Sequence, residues 1–510
     1  MITFRLGVAR PRRLAVVSSV VWLASTSANA QGQQVAQPTL DASAIAAPVP
    51  VPPAMPPSQS PPATTPASTT PDSQANALEP LAGFSDGTAF IRAPDNSFIL
   101  FPNGRLQMDG YFFKSANTPP KNTFLLRRAR LELGGWVGSF AYFSIAADFA
   151  VASPSPSNSP VVQTNLNATD SFVALAPWGD LAILQFGQFD APFTLENRTS
   201  DKYFDFMERS VTVRAFGVPT NKEQGVMLHG TTAERHFYYS VGAFNGDGQN
   251  FRNVDGKFDV IGRAWLAPLS FGAPEAVRAI TVGGSFWTGE RVNALALPAQ
   301  TTQAGFTILN PSWTWTNGTT RTPVELHQQG RLNAFALELN APIAHKYGAR
   351  IEYVWKHQPL EVADVTAPKT PVVLGGADLR GWSMYGEAWW WLVGDDRIIG
   401  EPGLQMLPRF KKFGVAPPRN GVMLTARLDY LNETVTEDST AATLALTSPV
   451  AGVTKLTALA LGINYWHSKR FRATANYVLN HFDGTTPYVT TLRSKSANEQ
   501  EFLFRLAIAL

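Results

Sequence analysis

The sequence predicts an all-β protein, a transmembrane antiparallel β-barrel of about 16 strands. Three observations predict this class. The N-terminus reads as an export signal, apolar and polar residues alternate in many short stretches, and residues 84–510 contain no run of 18 apolar residues that could form a membrane-spanning helix. A barrel strand turns alternate residues to lipid and to a water-filled lumen, so each strand needs one apolar and one polar face.

The first 30 residues have the organisation of a Sec-type signal peptide. Four arginines precede an apolar run from Leu14 to Ala24, and Ala28-Asn29-Ala30 provides a small-residue cleavage site, so cleavage is expected after Ala30. The alternative, a single membrane anchor, would need roughly 20 apolar residues. Without this segment, 38 Lys and Arg face 39 Asp and Glu. The exported chain therefore has no basic excess that would favour nucleic acid as a partner.

Residues 31–80 contain twelve prolines and only three charged residues. Such a composition buries too little apolar surface to fold, and predicts a disordered or polyproline-like tether. We therefore divide the chain into a signal peptide (1–30), a Pro/Ala/Ser-rich periplasmic linker (31–83) and an outer-membrane barrel domain (84–510). An anchor to the cell wall or to a periplasmic partner is the alternative role for the linker, and its lack of charge favours a spacer.

Residues 124–149 show the alternation most clearly. Arg128, Arg130 and Glu132 share one face of the first run, and Leu131 lies on the other. A soluble sandwich would bury the apolar face, whereas a membrane barrel would turn it to lipid. The hairpin alone fits both folds, so the rest of the chain has to decide.

Similar alternation recurs to the C-terminus and predicts 16 strands. They are residues 98–113, the two runs of 124–149, 170–176, 181–189, 225–231, 236–244, 258–266, 278–287, 331–339, 349–357, 382–393, 422–431, 456–466, 471–479 and 501–510. Tight turns alternate with longer polar loops, which is typical of transmembrane barrels. Aromatic residues near strand ends, at 389–391 and 465–466, are expected to form headgroup-level girdles.

Five short motifs occur in a characteristic order. They are GRLQMDG at 104–110, LRRARL at 126–131, GQF followed by PF and Glu within 187–196, FMERS at 206–210 and GAFNGDG at 242–248. Together they resemble the outer-membrane phosphate-selective porins of the O and P type. Two positions depart from that family. Asp190 stands where relatives commonly carry lysine, which argues against phosphate preference, and Leu510 replaces a terminal aromatic residue.

The resemblance implies a homotrimeric porin in the outer-membrane bilayer, without a cofactor, through which small anions such as phosphate or polyphosphate diffuse passively. It also implies that the third external loop folds into the lumen, and the irregular stretch 197–221 stands in its place. The candidate constriction-loop residues are Arg198, Lys202, Asp205, Glu208 and Arg209. Since both charge signs are present, we expect modest anion selectivity at most.

Alternation by itself assigns eight arginines to the lumen face. They are Arg105, Arg128, Arg130, Arg263, Arg350, Arg427, Arg472 and Arg505. The candidate anion path consists of Arg127, Arg128, Arg130, Arg105, Arg427 and Arg472. Guanidinium groups can replace the hydration shell of an oxyanion, provided that binding stays weak enough for release. The alternative is that each arginine pairs with a carboxylate of the wall, such as Asp109, Glu132, Asp148, Glu352 or Asp429.

Strict alternation would aim Arg127 at lipid, where an arginine at the bilayer midplane costs about 2–4 kcal/mol. A β-bulge, a position at the membrane edge or a trimer contact would each resolve the conflict, and the family resemblance favours the bulge. The resemblance also implies that Arg127 and Arg128 both face the constriction.

No enzyme motif is present, and the seven histidines are scattered without metal-ligand spacing. The chain has no cysteine, which excludes disulfides and cysteine-bound metals. We therefore expect neither catalysis nor a metal. The main alternative is a porin of the same fold with weak selectivity, or one for sugars or organic acids, with Tyr142 and Tyr385 as stacking candidates.

Overall fold

The computed structural model describes residues 80–85, 88–115, 120–150, 166–292, 295–317, 319–367, 371–408, 420–438, 451–484 and 496–509. The predicted signal peptide, nearly all of the predicted linker and Leu510 lie outside these ranges.

Sixteen antiparallel strands of the described residues form one barrel. They are β1 (Phe98–Lys114), β2 (Thr123–Val137), β3 (Ala141–Asp148), β4 (Ser171–Leu175), β5 (Ile183–Asp190), β6 (Lys222–Thr231), β7 (Phe237–Phe244), β8 (Asp259–Leu266), β9 (Thr281–Arg291), β10 (Gly330–Ile343), β11 (Tyr347–Asp364), β12 (Val372–Val393), β13 (Gly421–Glu437), β14 (Gly452–Ser468), β15 (Phe471–Gly484) and β16 (Asn498–Ala509). Each strand pairs with its neighbour in the sequence, and β16 pairs with β1. This pairing closes the sheet, so the prediction of a 16-stranded antiparallel barrel is confirmed.

Shorter elements accompany the sixteen barrel strands, and several of them pair with the ends of those strands. Two strands precede it, Ala82–Ser85 and Thr88–Arg92, and the connections contain Asn167–Ala168, Gln300–Thr301, Thr307–Leu309, Ser312–Asn317 and Thr320–Gln328. The helical elements are α1 (Val211–Phe216) and the 3₁₀ turns Gly179–Leu181, Pro268–Phe271, Glu275–Val277 and Asp396–Ile398. None of the described helices is long and apolar enough to cross a membrane.

The outer face of the barrel is largely apolar, and many polar and charged side chains of its strands lie inside. On β1, Leu106 and Met108 are each 44% exposed, whereas Gln107 and Asp109 are almost fully buried. Exposed leucine, valine and phenylalanine side chains recur on the outer face of the other strands. This pattern is the reverse of a soluble protein, and it fits strands that have lipid on one side and a polar lumen on the other.

The expected aromatic girdle holds only in part. Trp390 is 55% exposed on the outer face, as a girdle requires, but its neighbours Trp389 and Trp391 are buried inside the barrel. Tyr465 is likewise exposed and Trp466 buried. Successive strand residues point to opposite faces, so adjacent aromatic residues cannot all reach the same girdle. The assignment of the inward-facing tryptophans to the girdle was wrong.

Candidate pore and its constriction

Residues 191–221, between β5 and β6, turn into the lumen. Several apolar side chains of this loop are fully buried in a core that they share with lumen-facing wall residues. They are Phe193, Phe206, Met207, Val211 and Phe216. Burying one such side chain contributes about 1.5–3 kcal/mol, which favours the inward conformation. Helix α1 lies near the end of the loop, and the hydroxyl of Ser210 caps it by accepting the Val213 N–H at 3.2 Å.

Wall residues from several strands hold the loop by its backbone. Glu352 on β11 accepts hydrogen bonds from the backbone N–H groups of Leu195 and Glu196. Asp429 on β13 accepts the Val211 N–H at 2.8 Å, and Asn476 on β15 accepts another loop N–H at 2.8 Å. Two of these anchors are the carboxylates that alternation had assigned to the lumen face. Part of the acidic wall therefore positions the loop.

Glu196 links two parts of the constriction loop. Its carboxylate accepts the Ser210 N–H at 2.9 and 3.0 Å and the Ser210 hydroxyl at 2.5 Å. It also lies 3.4 Å from Nη1 of Arg427 on β13. One buried carboxylate thus joins the two ends of the loop and the wall.

We expect Glu196→Ala to leave the barrel folded and to loosen the loop, because the tie between its ends is lost. The open-channel current in planar bilayers should become noisier, and trypsin should cleave faster after Arg198 and Arg209. Glu290→Ala removes an exposed carboxylate of β9 and is the control. Noise and cleavage equal to those of the control would contradict this role for Glu196.

Arg127 reaches the lumen through a β-bulge. Gln107 on β1 is opposite Arg128, and the next residue, Met108, is opposite Leu126, so Arg127 is the additional residue of β2. Its Nε lies 3.0 Å from Oε1 of Glu208 in the loop. The bulge turns both Arg127 and Arg128 inward, which resolves the conflict between alternation and the cost of arginine in lipid.

A connected set of ion pairs joins the loop to β1, β2 and β16, and we call it the cation-rich network. Among the described residues it contains seven basic side chains and five carboxylates. They are Arg105, Arg127, Arg128, Arg130, Lys202, Arg214 and Arg505 with Asp109, Glu132, Asp148, Asp201 and Glu208. Because seven basic groups meet five carboxylates, this network has a formal excess of two positive charges.

Glu208 occupies the centre of that network. Burial by itself would raise the pKa of its carboxyl, but the guanidinium groups of Arg127, Arg128 and Arg505 hold that pKa well below its usual range. Glu208 is therefore charged at neutral pH.

A second set of ion pairs on β11, β12, β13 and the constriction loop has the opposite excess, and we call it the acid-rich network. Two arginines meet four carboxylates there. They are Arg350 and Arg427 with Glu196, Asp205, Glu387 and Asp429. Asp205 lies 3.1 Å from Arg350, which also contacts Glu387. Because the two networks have opposite charge excesses, they create an electric field across the lumen. They do not surround it with a uniformly positive ring of side chains.

Three predicted site arginines have no carboxylate within 4 Å in the part of the chain that the structure describes. Arg472 on β15 donates to Asn464 at 2.5 and 3.0 Å, and its guanidinium lies over the Trp466 ring. Arg209 lies over the Phe204 ring. Arg198 is buried and donates to the backbone carbonyl at the end of β5 at 2.6 Å, so it holds the base of the loop.

Asp190, the departure from the family pattern, is partly charge-compensated. Its Oδ1 lies 2.7 Å from Nζ of Lys222, the residue opposite it on β6. Its Oδ2 accepts a hydrogen bond from Gln405 at 2.6 Å. Lys222 also lies 2.7 Å from Asp170, so its one charge compensates Asp190 in part and Asp190 keeps some weight against anion passage.

Sequence reasoning missed a second inserted segment, residues 295–309 between β9 and β10. Its Thr301 accepts two hydrogen bonds from Arg214, and its Thr302 donates to Glu501 on β16 at 2.6 Å. Phe306 packs edge-on against Phe113 on β1. The segment thus reaches the far wall. An apolar stretch within an external connection was the signal that could have indicated it.

A third inserted segment, residues 401–408, enters at the end of the barrel with the shorter turns, and we call it the strap. Arg263 on β8 donates to the Gly403 carbonyl at 2.6 Å, and Trp136 on β2 donates to the Pro408 carbonyl at 2.6 Å. The Gly403 N–H donates to Thr199 of the constriction loop at 2.9 Å. The strap therefore runs from the connection after β12 across the lumen to β2 and β8, under the constriction loop.

A conformational constraint fixes the strap at Gly403. Its φ is +73°, and a Cβ there would lie 2.8 Å from both Arg263 Nη2 and Leu195 Cγ. Glycine is the residue that tolerates both the dihedral angle and the close approach. The unusual length of this connection, residues 394–420, was the available sequence signal.

A comparison with protein families identifies the family of this barrel protein. The sequence profile of the family described as "phosphate-selective porin O and P" matches residues 103–357, from the start of β1 to the middle of β11. The chain belongs to this family. The porin is thus a channel of the outer membrane and not an enzyme, and its short turns lie at the periplasmic end.

Solved structures with a similar barrel include OmpT of Vibrio cholerae, at 12% identity, with 82% of this chain and 100% of that chain covered and a TM-score of 0.46. The outer membrane channel DcaP of Acinetobacter baumannii has 10% identity, 82% and 99% coverage and a TM-score of 0.44. The anion-selective porin from Comamonas acidovorans has 10% identity, 81% and 100% coverage and a TM-score of 0.43. No curated protein sequence matches this porin.

Proposed function

We propose that this porin lets small anions, including phosphate, diffuse passively through a water-filled lumen with modest anion selectivity. The observation that carries the proposal is the excess of basic side chains in the cation-rich network, on the wall that holds the twin arginines Arg127 and Arg128. Guanidinium groups bind oxyanions through several donors at once. Arg105, Arg130 and Arg505 extend the row of donors along the same wall.

The acid-rich network is the reason to expect modest selectivity. Its carboxylates exceed its arginines by two, which is as large as the excess of basic groups in the cation-rich network. The same observation favours the second candidate, a porin of the same fold with weak selectivity or one for another small solute, such as sugars or organic acids. The strength of the anion preference and the presence of phosphate block distinguish the two.

The decisive measurement is the zero-current potential of the purified protein in planar bilayers under a salt gradient, repeated with phosphate added to chloride. Anion preference with phosphate block of the chloride current supports the proposal. A strong cation preference would overturn it, and weak selectivity without block would favour the second candidate.

Arg472→Gln should lower the anion preference, because Arg472 has no described carboxylate within 4 Å to pair with its charge. Arg331→Gln is the control, since Arg331 is 69% exposed at its side chain and pairs with Glu290 on the next strand. A zero-current potential that is equally unchanged in both variants would remove Arg472 from the anion path.

Strand lengths support a homotrimer, which we include in the proposal. β3, β4, β5, β7 and β8 contain five to eight residues each, whereas a strand needs about 9–11 to cross the hydrocarbon core. The barrel wall is low where these five short strands lie, and such a wall is suited to burial against other copies of the chain in a trimer. An unheated sample should therefore migrate as a trimer in a denaturing gel, and a monomer only would contradict this part of the proposal.

We also propose that residues 1–30 are removed during Sec-dependent export and that residues 31–83 form a periplasmic linker before the barrel domain. N-terminal sequencing of the protein from outer membranes should begin at Gln31. Retention of Met1 would contradict the signal peptide.

A further inference from the structure

Glu208 lies in a cage of four guanidinium groups. Its carboxylate is 3.0 Å from Arg127 Nε, 2.9 Å from Arg505 Nη2, 3.8 Å from Arg214 Nη1 and 3.9 Å from Arg128 Nη1. Arg128 and Arg505 also contact Asp201 and Asp109, so the four guanidinium groups still outnumber the three carboxylates around them. The cage is therefore a site for an oxyanion, and in this structure the chain supplies that anion.

Asp201, seven residues earlier in the same loop, has a similar environment. Its carboxylate is 2.7 Å from Arg128 and 3.9 Å from Arg130, and it also contacts Arg105. Arg128 touches both Asp201 and Glu208. The two carboxylates consequently occupy neighbouring positions on one row of guanidinium groups.

The four arginines of the Glu208 cage differ in exposure. The side chains of Arg127 and Arg214 are 18% and 26% exposed, whereas those of Arg128 and Arg505 are almost fully buried. The two buried arginines have further carboxylate partners, Asp201 and Asp109, that hold them in place without Glu208. A solute anion can thus approach the exposed pair while the rest of the cage stays assembled.

We propose that Glu208 is a tethered anion that occupies a binding site for permeating oxyanions, and that Asp201 occupies the adjacent site in the same way. The inference rests on the proposed anion path and assigns a role to the loop's acidic residues in it. The tethered carboxylate competes with a solute anion for the same donors. Passage requires weak or exchangeable binding, so the competition lowers the affinity of the site and keeps anions moving.

Glu208→Gln tests the proposal, because glutamine keeps the shape of glutamate and removes the charge. Glu208 is almost fully buried, so removing its like charge about 4 Å from a bound anion should lower the phosphate concentration that half-blocks the chloride current by roughly tenfold or more. Anion preference in the zero-current potential should also rise. A blocking concentration equal to that of the wild type would overturn the proposal.

Two further variants serve as controls. Asp205→Asn removes another carboxylate of the same loop, but Arg350 keeps Glu387 as a partner, so the blocking concentration should shift less than in Glu208→Gln. Glu290→Gln removes an equal charge from the exposed face of β9. If all three variants shift the block equally, the effect is one of net charge and the proposal fails.

The effect of formate on the stability of Glu208→Ala tests binding without a transport measurement. If the cage is an anion site, formate should raise the yield of refolding into detergent and the denaturation temperature of this variant, and should do neither for the wild type, whose site is filled. Equal effects of formate on both proteins would overturn the proposal. A cation-selective wild type would refute the proposed function, yet stabilisation of Glu208→Ala by formate would still support the cage.

Discussion

Deleting residues 402–408 should increase the single-channel conductance of this porin severalfold. The strap crosses the lumen at the periplasmic end, where hydrogen bonds from Trp136 and Arg263 hold it at 2.6 Å each. Its Leu407 packs into a cluster of buried aromatic residues around Trp136. Because the strap fills space that ions would otherwise use, its removal should widen the periplasmic exit of the pore.

The remaining connection is long enough to close the turn, since residues 393 and 422 are direct neighbours in the sheet. The deletion should also loosen the constriction loop, because Thr199 loses its bond to Gly403. Deleting residues 271–274, in an exposed turn at the same end, is the control. A correctly assembled deletion variant with wild-type conductance would mean that solutes pass beside the strap.

Arg263→Met should lower the free energy of unfolding by about 3–5 kcal/mol, the usual cost of leaving one partner of a buried ion pair alone. Arg263 donates to both carboxylate oxygens of Glu338, at 2.7 and 2.8 Å, and the two side chains are 1% and 2% exposed. Methionine can fill the space but cannot compensate the buried charge. Unfolding in urea, followed by tryptophan fluorescence in detergent, measures the loss.

The double variant Arg263→Met/Glu338→Leu should recover most of that stability, since it removes both charges. Arg331→Met is the matched control, because its pair with Glu290 is exposed and such pairs contribute about 0–1 kcal/mol. Equal losses of unfolding free energy in Arg263→Met and Arg331→Met would show that the buried pair contributes no more stability than the exposed pair.

Strand positions were accessible from the sequence because alternation is a local consequence of having lipid on one side and water on the other. Each of the 16 predicted strands coincides with an observed one, although several observed strands are longer. β12 was predicted from residue 382 and begins at Val372. Beyond the bilayer, neither face of a strand meets lipid, so the alternation that reveals the strand is no longer required.

The charged faces were predicted in the same way, but the partners of the charges were not. Alternation placed Asp109 and Arg505 in the lumen, and the structure shows that they pair across β1 and β16 at 2.7 Å. Glu208 is separated from its four arginines by up to about 300 positions in the chain, and no local pattern links them. Such contacts depend on the angle at which a loop enters the barrel.

The sequence by itself determined the class of this protein, its 16 strands, the inward face of each and the family to which it belongs, because these follow from short-range periodicity and from motifs a few residues long. Tertiary structure alone decided that Arg127 turns inward at a bulge, that the strap crosses the periplasmic exit, and that the loop carboxylates lie among the arginines of the anion path. Closure of the barrel brings distant strands and loops to within hydrogen-bonding distance, and that geometry sets the balance of charge in the pore.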